Sequence, residues 1–386
     1  MKLRDAPTQD LEHQVDGWEA SRRSVGTAPD LPPTIPSLNG FRAVSIVLVF
    51  IAHSAGTRNA PEFIFQLVQI GNLGVKVFFV ISGFLITTLL LREWHKTGGV
   101  SLRNFYTRRV LRIFPALYTY LAVIIGLYLL GFVPLPKKDL IHALTFTMNY
   151  GDHSFTLNFD SRSEWYLNHL WSLSVEEQFY LLWPISFFFA GPRRGAWLVA
   201  STIVVVPFIR LLMVCVWPEL PPAAYTRQFQ CVADSLATGC LWALCFNWLG
   251  TLRYYRALVS SRWFLALFVA GMLVALLMFK VGKEYYYVIG QSMVNVLIVL
   301  AIDRYLRFPN TVTGRILNNP VVQFVGVLSY SLYLWQEPFL NIFDQTNLLA
   351  SFPINVGLSV LAGLASYGLV ERQFLRLKQR FSRSRI

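Results

Sequence analysis

The chain has 386 residues, of which 54% are hydrophobic and only 14% charged, against about 25% charged in an ordinary soluble domain. Thirty Phe, seventeen Tyr and eleven Trp leave too little polar surface to cover a soluble core. A soluble globular enzyme and a disordered chain are both excluded, and a multi-span membrane protein remains. The net charge of +13 fits positive loops facing an anionic leaflet better than it fits nucleic acid.

Residues 1–37 mix both charge signs with a Pro-rich end and no apolar run, and read as a mobile tail. Ten apolar stretches follow, near 39–57, 71–91, 110–132, 168–190, 196–217, 228–248, 263–280, 285–303, 321–343 and 353–371. Each approaches the roughly 20 residues that a spanning helix needs. The stretch 139–150 is too short to cross and reads as a half-span or a surface helix. Residues 38–375 form one transmembrane domain, and 376–386 a basic tail. With the amino terminus inside, 24 Lys and Arg fall on inner segments and seven on outer ones. That bias predicts an all-α polytopic protein of about ten helices with both termini cytoplasmic. The four Cys and six His show neither a disulfide framework nor metal-ligand spacing, so no metal is expected.

Ionisable groups inside spans are costly, which makes each one a functional candidate. His53, Lys76 and Glu176 are expected at similar depth in the outer half of three helices, where a base, a cation and an acid could meet. Arg42 and His53 are eleven residues apart, which places both on one helix face, roughly 16 Å apart along the axis. A cation at one end and an imidazole at the other suit a long substrate with an anionic head and a reactive tip, the shape of an acyl-CoA. Arg109 and Arg112 are an i, i+3 pair, two guanidiniums on one face that could clamp phosphate. The plain alternative for all three arginines is inner-leaflet anchoring. Ser172, Glu176 and Tyr180 form an i, i+4, i+8 stripe that should face the bundle interior. Arg210 and Asp234 read as a structural ion pair. Glu337, followed by Pro338, reads as a marker of the outer membrane boundary.

Taken in order, LNGFRAVSIVLVFIAH (38–53), GVKVFFVISGFLIT (74–87), RRVLRIFP (108–115), HLWSLSVEEQFYLLWP (169–184), SYSLYLW (329–335) and VERQFLRL (370–377) resemble the membrane-bound acyltransferase 3 family across most of 38–375. The resemblance implies O-acyl transfer from cytoplasmic acyl-CoA, usually acetyl-CoA, as co-substrate with no permanently bound cofactor. The implied acceptor is a hydroxyl of a glycan or glycolipid at the outer face of a bacterial inner membrane. By motif position, Arg42 and His53 fill the family's Arg-x10-His signature. Arg109 and Arg112 fill the Arg-x-x-Arg motif thought to hold CoA phosphates, and Glu176 fills the first acid of Trp-Ser-Leu-x-x-Glu. His53 is then the expected general base or, in a variant, the acylated nucleophile, with Glu176 orienting it.

Three positions depart from the family. Lys76 stands where many relatives have an acid. Val232-Ala233-Asp234 stands where relatives often have Arg-x-Asp, and Gln336 where they usually read Leu-Trp-His. The sequence lacks the soluble esterase-like domain fused to some relatives, so it is expected to act alone or with a separate partner such as a polysaccharide-assembly protein. The competing class is a transporter or flippase for a lipid-linked saccharide, against which stands the lack of paired repeats with broken helices.

Overall fold

The computed structural model of the chain describes residues 25–32, 35–68, 70–151, 165–344 and 346–383. Its long elements are all helices. Among the described residues the β pairing is confined to an isolated bridge between Arg58 and Ser351. In chain order the helices are α1 (Pro36–Ser54), α2 (Ile70–Thr97), α3 (Leu102–Leu129), the short α4 (Lys137–Leu144), α5 (Leu170–Val216), α6 (Phe229–Thr251), α7 (Phe264–Val281), α8 (Gln291–Arg307), α9 (Pro320–Trp335), α10 (Ile354–Ser366) and α11 (Arg372–Arg383). Their starts carry local signals. Pro36 and Pro320 open α1 and α9, where a fixed φ suits the first turn. Ser101 Oγ caps α3 by accepting from the Asn104 N–H at 3.3 Å.

Among the described residues, eight helices are long and apolar enough to cross a membrane. One of them contains two of the expected spans: α5 breaks at Gly191, whose φ of 68° and ψ of 179° lie where only glycine sits easily. The chain folds back there. A Cβ on Gly195 would lie 3.4 Å from both Phe187 and Trp183, side chains that a straight helix, rising about 12 Å over eight residues, keeps apart. Helix α9 is apolar but only 16 residues long. Counting the two arms of α5 and including α9 gives ten apolar helical segments, an all-α polytopic membrane fold. The stretch 139–150 does not cross. It forms α4 and a 3-10 turn docked on α5, where Gln178 Nε2 donates to Phe146 O at 2.7 Å and the Met148 N–H donates to Ser174 Oγ at 3.2 Å.

The centre of the bundle is α2, which packs along α6 and α1. Gly83 and Gly239 make the α2–α6 contact possible. A Cβ on either would collide with the backbone carbonyl of Leu236 or Val80, so small residues set the helix spacing, as is usual inside membranes. At the periphery, α7 keeps Leu265, Leu267, Leu273 and Leu277 on its outside, where lipid can cover them.

The described parts of the two expected tails, 1–37 and 376–386, contact the bundle. Residues 1–24 and 33–34 lie outside the described residues. Residues 25–32, however, are pinned: the Gly26 N–H donates to Leu244 O at 2.7 Å, and Arg92 Nη2 donates to Leu31 O at 2.7 Å. At the other flank, 376–383 continues α11, which packs on α3, and residues 384–386 lie outside the described residues. A basic segment with no apolar run of its own still folds as a helix when a neighbour offers it a surface.

Candidate active site

Five helices, α1, α2, α3, α5 and α9, and the basic helix α11 meet around a cavity of about 510 Å³, within the range that takes a small organic ligand. Its wall includes Arg42 from α1, Arg92 from α2, Arg109 and Arg112 from α3, Glu176 from α5 and Lys378 from α11. The three arginines singled out from the sequence are therefore brought together in one cavity. The whole stripe of Ser172, Glu176 and Tyr180 lines it too, because three residues four apart repeat on one face of α5. The shared lining also places the start of α1 and the last helix at the same end of the bundle.

The cationic wall is held by specific contacts. The Arg109 guanidinium lies 3.6 Å above the Tyr180 ring, a cation–π stack. The Tyr180 hydroxyl donates to Glu176 Oε2 at 3.0 Å, and Ser82 Oγ donates to Glu176 Oε1 at 2.8 Å. Toward the other end of the cavity, the Tyr333 hydroxyl donates to His169 O and pairs with Ser172 Oγ at 2.7 Å.

His53 stands apart from that wall. Its Nδ1 is 3.3 Å from Oε1 of Glu337, at ion-pair distance but without an aligned hydrogen bond. The Glu337 side chain is 5% exposed and the imidazole 31% exposed, so the acid is enclosed while the base is open to an approaching group. Trp165 Nε1 donates to Glu337 O at 2.9 Å and fixes the acid's backbone just past the end of α9. The structure places Glu337, rather than the expected Glu176, beside His53. Glu176 is engaged by Ser82 and Tyr180 beside the arginines, and the carboxylate at His53 is Glu337, which the sequence offered only as a boundary marker. The signal was present as a buried-type acid directly after an apolar helix, but the helix ends at Trp335, so helical spacing could not carry it to His53.

Lys76 does not join either group. It is 7% exposed, its Nζ has no hydrogen-bond partner, and it faces the field of Asp234 and Arg210. His53, Lys76 and Glu176 thus turn to three different neighbourhoods. Arg210 and Asp234 form the expected pair, Nη2 to Oδ2 at 2.9 Å with both side chains fully buried. Ser292 Oγ accepts from Arg210 Nη2 and donates to Asp234 Oδ2, each at 2.6 Å, so the buried charges are hydrogen-bonded as well as paired. Among the described residues no three His, Cys, Asp or Glu side chains converge on a possible metal position.

Residues 35–370 match the family model described as an acyltransferase domain. The chain belongs to the acyltransferase 3 family. Its relatives include the O-acetyltransferase OatA of Staphylococcus aureus strain NCTC 8325, 28% identical over 359 residues, covering 88% of this chain and 57% of OatA. A protein of S. aureus strain COL provisionally named O-acetyltransferase SACOL0978 is 29% identical over 365 residues, with the same coverage of 88% and 57%. The chain thus spans a little over half the length of these relatives. No solved structure matches it. Two of the departures from the family pattern acquire a place in the fold. Gln336, where relatives usually have His, is fully buried and adjoins His53. Asp234, which lacks the usual arginine two residues before it, takes its guanidinium from Arg210 on another helix.

Proposed function

We propose that the chain is an integral-membrane O-acyltransferase that takes an acyl group, acetyl in the first instance, from acyl-CoA. The donor enters at the cytoplasmic end, among Arg42, Arg109 and Arg112. The acceptor is a hydroxyl of a glycan or glycolipid at the outer face of a bacterial inner membrane. One observation carries the reading: a cationic cavity and an imidazole–carboxylate pair occupy opposite ends of a single helix, α1.

The residues fit a donor with phosphates at one end and a thioester at the other. Guanidiniums on facing helices offer fork-shaped donors to phosphate oxygens, and the cavity leads from them to Tyr333, which is itself within the field of Glu337. At His53 the orientation of the ring selects the reactive nitrogen. Nδ1 faces Glu337, which leaves Nε2 for the substrate. The acceptor oxygen attacks the thioester carbonyl carbon while its proton passes to Nε2. The C–S bond then breaks, and the proton leaves on the CoA sulfur. Glu337 stabilises the transient imidazolium, and its enclosure strengthens that interaction. In the acyl-histidine variant Nε2 attacks first and the acceptor displaces it, with the same atoms exchanged.

The test is thiol release from acetyl-CoA by the purified full chain, with and without a hydroxyl acceptor. Release that depends on the protein and the acceptor and vanishes in His53→Ala supports the reading. Movement of a lipid-linked saccharide with no thioester consumed would overturn it in favour of transport.

A further inference from the structure

Gln336 is fully buried, and neither its amide nitrogen nor its amide oxygen has an aligned hydrogen-bond partner among the described residues. An unpaired buried amide is costly and rare in native structures. Its position is fixed from the backbone. Gln336 follows the last residue of α9 with helical φ and ψ, and its carbonyl accepts from the Phe339 and Leu340 N–H groups at 3.1 and 2.9 Å. The side chain adjoins the imidazole of His53. The next residue, Glu337, holds its carboxylate 3.3 Å from Nδ1 of the same ring. Two successive residues of one turn therefore reach one histidine.

Other donors near this turn are committed or enclosed. The Tyr333 hydroxyl donates to His169 O, and Trp165 Nε1 donates to Glu337 O at 2.9 Å. Arg227 Nη1 donates to Asn168 Oδ1 at 3.1 Å, with its guanidinium over the Trp171 ring. His169 and Trp335 carry ring nitrogens without partners among the described residues, but both rings pack edge-on against Tyr120, at 86° and 90°.

Acyl transfer calls for a free donor at this place. When a nucleophile attacks a thioester carbonyl, the C=O electron pair moves onto oxygen, and the oxyanion forms beside the attacking group. A donor fixed in advance and shielded from water stabilises that charge without reorganising. An amide unpaired at rest, which gains its partner only in the transition state, stabilises that state selectively.

Resting on the acyl-transfer reading above, we infer that Gln336 is a further catalytic residue, whose Nε2 donates to the oxyanion that develops on the thioester carbonyl. In the tetrahedral intermediate His53 holds the acceptor's proton while the amide faces the oxygen. Collapse restores the C=O bond, breaks the C–S bond and passes the proton from His53 to the CoA sulfur. The amide is neutral and keeps its N–H donors at any working pH, unlike the histidine that relatives usually have there.

The experiment is steady-state thiol release from acetyl-CoA over a pH series, with water and with an alkyl glucoside as acceptors. It compares the detergent-purified full chain as wild type, Gln336→Met and Gln336→His. Gln336→Met keeps the length of the side chain and removes the donor, so kcat should fall by about 10²-fold or more, the scale of one lost oxyanion donor. The KM for acetyl-CoA, the pH profile and the calorimetric affinity for CoA should stay as in wild type, the last also reporting that the variant is folded. Gln336→His restores a ring N–H and should stand at least about tenfold above Gln336→Met. An unchanged kcat in Gln336→Met overturns the assignment. So does a loss that comes with a shifted pH profile, which makes Gln336 a positioning residue for the imidazole, or with an equal loss of CoA binding, which makes it structural. A wild type that releases no thiol overturns the acyl-transfer reading and this assignment with it.

Discussion

Arg42 and His53 stand on one helix, yet their surroundings differ in kind. Around Arg42, cations converge from α1, α2, α3 and α11, and Arg109 among them is placed by a stack on Tyr180, whose hydroxyl holds a carboxylate shared with Ser82. Around His53 a single enclosed acid lies slightly too far and too oblique for a good hydrogen bond. The first arrangement gathers cations in one wall, which suits recognition of an anion. The second is a titratable pair with room to tighten, which suits proton transfer, since catalytic hydrogen bonds often align only once substrate is bound. The proposed function puts binding and chemistry at opposite ends of α1, and that division can be broken.

The largest effect is expected at the reactive end. His53→Ala should lower acyl transfer by at least about 10³-fold, near the upper range for loss of a general base, while CoA affinity stays within about twofold of wild type. Thiol release and calorimetry on the same preparation measure both. A variant that also loses CoA binding would show that the two ends do not act separately.

Next in size is the contrast between the two acids. Glu337→Gln keeps the shape beside His53 and removes the acid, so kcat should fall about 10²-fold with little change in the KM for acetyl-CoA. Glu176→Gln should do the reverse. Glu176 anchors Tyr180, on which Arg109 rests, so its loss should raise the donor KM by about tenfold with kcat largely kept. Steady-state kinetics against donor concentration separates the two patterns. If Glu176→Gln cuts kcat as deeply as Glu337→Gln, the acid assignment reverts to the one that motif position implies.

These two acids also show what a sequence can and cannot carry. Features governed by one helix were legible. The ten apolar stretches, the shared face of Arg42 and His53, the stripe through Glu176 and the Arg109–Arg112 spacing all follow from a rise of 1.5 Å and 100° per residue. The Arg210–Asp234 pair was legible because two charges at matched depth on successive helices have few other partners. Relations set by how helices rotate against each other were not. Glu337 reaches His53 from the non-helical turn after α9, where periodicity stops. Lys76 sits on the expected helix, but α2 is turned so that this side chain faces Asp234 and Arg210 rather than His53 or Glu176. Lys378 fell in a segment with no apolar signal, and its helix is held by packing on α3 rather than by its own hydrophobic face.

A separate pair of substitutions probes the binding end directly. Arg109→Ala and Arg112→Ala should each weaken acetyl-CoA binding by about tenfold or more, as expected for loss of a guanidinium that forms charge-assisted bonds to phosphate. The salt dependence of binding should fall with them, because part of the attraction is long-range and screened. Binding titrations at two ionic strengths check this. Unchanged affinity in folded variants would return these arginines to the role of inner-leaflet anchors.

The smallest effect is expected where the two regions touch. Tyr333 lines the cavity beside Ser172 and stands within the field of Glu337, so under the proposed function its ring stands between the donor site and His53. Its hydroxyl is occupied, donating to His169 O and accepting from Ser172 Oγ. Tyr333→Phe keeps the ring and removes both bonds. A net hydrogen bond is worth about 1 kcal/mol, so a change of about fivefold is the natural scale. If Tyr333 shapes the passage between the regions, that loss falls on kcat, and His53→Ala masks it completely. If it only lines the donor cavity, the loss falls on the KM for acetyl-CoA, and binding of CoA to His53→Ala protein remains sensitive to it. The double variant His53→Ala/Tyr333→Phe, assayed for CoA binding, therefore decides whether the junction belongs to the anion site or to the imidazole.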